Sequence, residues 1–114
     1  MISLTTLRKV ALSFPETSEQ PHFEKTSFRV GKKIFASYDA KNNQACIKLS
    51  LKDQDVFSLY DKSVIFPVPN KGGKQGWTLI DLKKVRAKVF TDAITQAYCD
   101  VAPEKLSSQL KKKG

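Results

Sequence analysis

Apolar residues in the first fourteen positions recur three and four apart. Leu4, Leu7, Val10, Ala11 and Phe14 form one stripe, the spacing that buries one side of a helix. The pattern predicts a helix from about Ser3 to Phe14. Ser3 offers a hydroxyl to cap its first turn, and Pro15 stops it, because the residue before proline is pushed out of the helical region. Glu16 to Lys25 lacks a period and reads as a polar connection carrying His22 beside Phe23.

From Ser27 to Leu49 the period changes to two. Three runs rich in β-branched and aromatic residues are separated by Gly31-Lys32 and by the Asx-rich turn from Asp39 to Asn43, which predicts a three-stranded antiparallel meander. Phe28 and Val30 share a face, with Arg29 on the other. Ile34, Ala36 and Tyr38 alternate with Phe35 and Ser37, so large apolar groups fall on both faces of the second run. A two-residue turn pairs Phe28 with Phe35, and a three-residue turn pairs it with Ala36; the sequence leaves both open. In the third run Ala45, Ile47 and Leu49 point inward, and Gln44 and Lys48 outward.

Lys52 to Tyr60 reads as a short helix with Val56, Phe57, Leu59 and Tyr60 as its apolar side and Ser50 or Asp53 as its cap. Ser63 to Val68 reads as a fourth strand, ended or confined to an edge by Pro67. Asn70 to Gly76 reads as a flexible loop. Trp77 to Leu82 is a fifth strand, with Trp77 and Leu79 on one face and Thr78, Ile80 and Leu82 on the other. The strongest helical stripe comes last: Val85, Val89, Phe90, Ala93, Ile94, Ala97, Tyr98 and Val101. Pro103 closes this helix or opens a second through Leu110, and a basic tail begins at about Lys111. The expected fold is a single α+β domain over residues 1–114, a two-layer sandwich in the order α-β-β-β-α-β-β-α. It has a five-stranded antiparallel sheet with helices packed on one face.

Composition narrows the function. The 114 residues are 40% hydrophobic and contain no apolar run long enough to cross a membrane. Arg8 and Lys9 interrupt the N-terminal apolar pattern, so it does not read as a signal peptide. A cytoplasmic monomer with reduced thiols at Cys46 and Cys99 is expected. The net charge of +9, from 20 basic and 11 acidic residues, favours anionic partners, nucleic acid first; a solvated basic surface without a ligand is the plain alternative.

Catalytic and metal chemistry find little support. A single histidine and two distant cysteines do not give a metal-ligand spacing, and no nucleophile sits in a motif with a base. No cofactor or catalytic residue is assigned, and His22 and Cys46 read as structural. Gly72-Gly73-Lys74-Gln75-Gly76 lacks the spacing of a phosphate-binding loop and joins two strands. It reads as a mobile hairpin connection whose lysines can still lie along a phosphate backbone. Lys83, Lys84, Arg86 and Lys88 crowd the start of the last helix, where cations oppose the dipole unless an anion binds there.

The cations that matter most fall at two hairpin tips: Lys32 and Lys33 at the first, with Arg29 leading to it, and Lys71 and Lys74 at the second. Paired tips can straddle a duplex as wings, with Trp77 and Tyr38 near their bases. Core packing is the stronger reading for Trp77.

The chain resembles the MmcQ/YjbR family. The resemblance rests on Pro21-His22-Phe23, on the run Ser27-Phe28-Arg29-Val30-Gly31-Lys32-Lys33-Ile34-Phe35-Ala36, on Trp77 opening the last strand and on Ala97-Tyr98 in the C-terminal helix. It implies a small domain similar to CyaY-like domains and to type III secretion chaperones, and a DNA-binding label tied to a double-wing arrangement. Two functions follow as expectations. The first is non-enzymatic, weakly specific binding of duplex DNA through Arg29, Lys32, Lys33, Lys71 and Lys74. The second is a protein-interaction module that takes a peptide on its sheet.

Overall fold

The computed structural model describes residues 2–22 and 24–111, with Leu110 and Lys111 described by their backbone only. The expectations placed on Phe23 and on the tail residues 112–114 lie outside the described residues. The elements run α1 (Leu4–Leu12), β1 (Thr17–His22), β2 (Lys25–Val30), β3 (Lys33–Asp39), β4 (Gln44–Lys48), α2 (Leu51–Ser58), β5 (Ile65–Pro67), α3 (Lys71–Lys74), β6 (Trp77–Asp81), α4 (Ala87–Val101) and α5 (Glu104–Lys111). The strands form one antiparallel sheet in the order β1-β2-β3-β4-β6-β5.

The expected α+β sandwich is present, and α4 packs across β3 and β4. Phe28, Ala36, Ile47 and Thr78 lie opposite one another along the ladders and are all buried. Ala45, Ile80 and Ile65 repeat this one step further along. Leu7 and Ala11 of α1 and Phe90, Ala93, Ile94, Ala97 and Tyr98 of α4 close the core from the helical side. Tyr98 is its pivot. Its ring lies 4.8 Å from that of Phe14 and 5.5 Å from that of Phe35, and its hydroxyl donates to the Pro15 carbonyl at 2.7 Å.

The sheet has six strands where five were expected. The extra strand is β1, from the stretch that read as a connection. Thr-Ser-Glu-Gln-Pro-His has no apolar alternation to announce a strand, since an edge strand with both faces half-exposed needs none. Its ladder to β2 supplies the backbone pairing. Arg8 ties it to α1 through a bidentate pair with Glu19, Nε to Oε1 at 2.6 Å and Nη2 to Oε2 at 3.1 Å.

The open question of the first hairpin is answered by a bulge. The turn is the two-residue Gly31-Lys32, with Gly31 at φ +61°, yet Phe28 pairs with Ala36. The register shifts between Phe28 and Arg29, which leaves Phe35 as the extra residue on β3. Phe35 and Ala36 are therefore both buried, while Ile34, opposite Arg29, is not. Strict alternation cannot produce that arrangement.

Three further expectations change. Helix α2 buries Gln54, while Val56, Leu59 and Tyr60 are exposed and Phe57 packs at the core margin. The strand expected over Ser63–Val68 is the shorter β5. The loop expected over Asn70–Gly76 contains α3, whose first turn is capped by Asn70 Oδ1 accepting from the Gly72 amide at 2.8 Å.

Candidate nucleic-acid interface

Lys33 opens β3, Lys48 ends β4 and Trp77 opens β6 directly opposite Lys48. Because these strands are antiparallel, the β2–β3 turn and the β5–β6 connection lie along the same end of the sheet. Both groups of expected cations therefore share that end, Lys32 and Lys33 on the turn and Lys71 and Lys74 on α3. All four are exposed.

The two groups are not equivalent. Arg29, Lys32 and Lys33 line a single groove of about 620 Å³, together with Lys48, Ile34 and Trp77. Lys74 instead borders a separate depression of about 400 Å³ beside Pro67 and Asn70. Arg29 is positioned through its Nε, which donates to Ser27 Oγ at 3.2 Å; Ser27 in turn donates to the Gln20 carbonyl at 2.9 Å. Lys48 Nζ donates to the Gln75 carbonyl, pinning the ammonium between the two tips. Among the described residues the ion pairs are Arg8–Glu19 and Lys88–Asp92, and neither uses a groove cation. The carboxylate in the groove, Asp100, is occupied by the Ser50 amide at 2.9 Å and the Gln96 side chain at 3.0 Å. Burial raises its pKa, opposed by the Ser50 hydrogen bond. Among the described residues no ion pair within 4.0 Å joins Asp100 to the groove cations.

Trp77 is not a core residue. Thr78 and Ile80 face the helices, so Trp77 and Leu79 fall on the other side of the sheet and are partly buried there. Tyr38 goes the opposite way. It packs at the margin of the core, paired with Thr26 and Ala45, toward the far end of β3 from the turn. Trp77 is therefore the aromatic residue at the basic end.

The glycine-rich connection is a packed cradle and not a mobile loop. Gln54 Nε2 lies within hydrogen-bond distance of the Gly73 carbonyl (3.0 Å), Thr78 Oγ1 (3.1 Å) and the Trp77 carbonyl (3.2 Å). The Leu49 amide donates to the Gly76 carbonyl at 2.9 Å. Gly76 has φ +102°, and a Cβ there would meet the Leu49 carbonyl oxygen at 1.8 Å.

The other candidates lose weight. Helix α4 begins at Ala87, so Lys83 and Lys84 precede it, and Asp81 accepts from the Lys83 amide at 2.9 Å. Burial pushes the Cys46 thiol up to about 11, away from the thiolate that nucleophilic chemistry needs. Among the described residues no group of three or more His, Cys, Asp or Glu is placed to hold a metal, and no helix is long and apolar enough to cross a membrane. Lys48 is the groove cation that sequence reasoning passed over. Its outward position on β4 was readable from Ala45, Ile47 and Leu49, but its pairing with Trp77 depends on β6 lying beside β4.

Known proteins agree with the fold. The model of the family described as YjbR matches residues 12–99. The crystal structure of Deinococcus radiodurans protein DR2400, which carries the domain DUF419, superposes with a TM-score of 0.79 at 19% identity, over 99% of this chain and 88% of that one. No curated protein matches the sequence.

Proposed function

The chain belongs to the YjbR family, and from that premise we propose that it is a non-enzymatic, DNA-binding protein that contacts backbone phosphates through the cations at one end of its sheet. The observation that carries this reading is the groove in which Arg29, Lys32, Lys33 and Lys48 converge without a paired carboxylate, beside Lys71 and Lys74 on α3. Lysines contact phosphates as point charges and read no bases, so binding is weakly specific. The net charge of +9 adds long-range attraction. The family resemblance supplies the DNA-binding expectation, and a monomer in a cytoplasmic setting, where Cys46 stays reduced, fits it.

The alternative reading is a protein-interaction module that takes a peptide or partner on a face or edge of its sheet; its edge route meets an obstacle on both sides. β1 carries an exposed Pro21, and β5 is three residues long and ends at Pro67. Prolines and short strands blunt an edge against strand addition.

Fluorescence anisotropy with labelled DNA across a salt series tests the proposal. With about four phosphates engaged, log affinity falls with log salt at a slope of roughly −3 to −4, and affinity near physiological salt is on the order of micromolar. Failure to bind at tens of micromolar protein in low salt would falsify the reading.

A further inference from the structure

We propose that the groove beside Trp77 takes an unpaired nucleobase stacked on the indole, with the adjoining phosphates on Arg29, Lys33 and Lys48, so that the preferred nucleic acid is single-stranded. This deepens the phosphate-binding reading and rests on it.

Trp77 is the chain's single tryptophan. It stands on the sheet face turned away from the core, while smaller Thr78 takes the buried position next to it. The ring is held on a rigid base. The Trp77 carbonyl accepts from the Val68 amide at 3.0 Å and from Gln54 at 3.2 Å. Helix α3 closes on one edge of the indole: a Cβ added at Gly72 would lie 3.4 Å from Trp77 Cδ1. Lys48 lies directly across the ladder, and Ile34 adds apolar lining. An aromatic platform ringed by cations is how grooves for single strands work, because every base has a face to stack and every nucleotide brings a phosphate. The groove volume of about 620 Å³ falls in the range of pockets that enclose small ligands, roughly 300–1,000 Å³. A duplex keeps its base faces in the stack and offers this site phosphates alone.

Because Trp77 is the sole tryptophan, intrinsic fluorescence reports on the site without labelling. The probes are an oligothymidylate of about ten nucleotides, within the roughly 4–16 that single-strand grooves cover, a hairpin duplex of equal charge, and free thymidine monophosphate. The expected result is saturable quenching by the single strand at concentrations on the order of tenfold or more below those the duplex needs, the range that stacking one base supplies. Neither variant keeps a tryptophan to quench, so both are read by anisotropy of dye-labelled strands: Trp77→Phe keeps most of the single-strand preference, and Trp77→Ala abolishes it, bringing single-strand affinity down to the duplex level. Should Trp77→Ala not fold by circular dichroism, wild-type quenching and Trp77→Phe still decide the matter. Equal binding of both forms without quenching overturns the stacking site and leaves phosphate binding standing. Binding of neither form overturns both. Quenching by the free nucleotide as strong as by the oligomer overturns the strand as the ligand.

Discussion

Gln54 in α2 donates its side-chain amide to the carbonyl of Gly73 in α3 at 3.0 Å, across nineteen positions of sequence. Through this bond a segment that looks mobile becomes the support of the basic end. The same nitrogen reaches the backbone of Trp77 and the hydroxyl of Thr78, so one buried amide fixes α3, the start of β6 and the indole together.

Replacing Gln54 by Leu keeps the volume and removes the donor. Gly73, Trp77 and Thr78 then lose a partner for buried or part-buried oxygens. The expected cost is about 1–3 kcal/mol, measured by urea unfolding, with faster hydrogen exchange at the amides of residues 72–78. Unchanged stability and unchanged exchange would show that water replaces the amide there.

Gly76→Ala is expected to be more damaging than its size implies. The residue sits at φ +102°, and the added Cβ would fall 1.8 Å from the Leu49 carbonyl oxygen. Strain and forced displacement together cost about 2–4 kcal/mol. A shift in the unfolding midpoint equivalent to less than about 0.5 kcal/mol would mean that the β4–β6 junction yields easily.

These contacts also show where the sequence stops being legible. The stripes of α1 and α4 and the inward set of β4 could be read directly, because Leu7, Ile94 and Ile47 obey one period and are buried by it, whereas β6 buries Thr78 and Ile80 and not the Trp77 face that read as core. β1 could not, because its pairing is a backbone property of a polar edge strand held by β2 and Arg8. Phe35 could not, because a bulge breaks the period at that point. In α2 the apolar Val56 and Leu59 pointed to the wrong side, since the buried position belongs to Gln54, whose partners lie more than nineteen residues away in part. At the basic end, the tips were readable as turns. Their convergence with Lys48 and Trp77 depends on the strand order, in which β6 and not β5 adjoins β4.

Tyr98 links α4 to the turn after α1, and its two contributions can be separated. Tyr98→Phe keeps the ring contacts with Phe14 and Phe35 but leaves the Pro15 carbonyl without its donor. About 0.5–1.5 kcal/mol is expected for that hydrogen bond. Ile94→Ala, one turn away and fully buried, should cost about 2–5 kcal/mol. Chemical denaturation that ranked Tyr98→Phe above Ile94→Ala would contradict this account of the core.

Cys46 sets a limit on alkaline stability. Its thiol titrates at about 11 in the folded protein against an ordinary value of 9.0, because burial penalises the thiolate. Below pH 9 both folded and unfolded chains keep the proton and the group has no effect. Between those two values the unfolded chain has lost it and the folded chain has not. The unfolded state therefore binds fewer protons, and stability falls as pH rises, by about 2–3 kcal/mol across the window. Cys46→Ala should lose this part of the pH dependence, while the raised pKa of Tyr98 remains common to both proteins. Parallel stability curves for the two proteins from pH 8 to about 11 would refute the assignment. Rapid stoichiometric alkylation of wild-type Cys46 at neutral pH would do the same and would reopen an enzymatic reading.

The last prediction separates the cations that line the groove from those that only surround it. Lys32 and Lys33 border the groove with Arg29 and Lys48, whereas Lys71 and Lys74 project from α3 outside it. Each phosphate released from contact changes the salt slope by about 0.9 on a duplex and about 0.7 on a single strand. Replacing Lys32 and Lys33 by Ala should therefore lower the slope by about 1.8 on a duplex and about 1.4 on a single strand, and weaken all sequences alike. Replacing Lys71 and Lys74 should lower it by less, since a nucleic acid seated on Trp77 reaches α3 only where its backbone leaves the groove. Substituting Lys111, Lys112 and Lys113 removes three charges while leaving Arg29, Lys32, Lys33 and Lys48 in place, and serves as the control for plain polycation attraction. Anisotropy titrations at four or so salt concentrations measure all three slopes. If the tail variant lowers the slope as much as the Lys32 and Lys33 variant does, attraction is set by net charge alone and the groove has no claim to be the site.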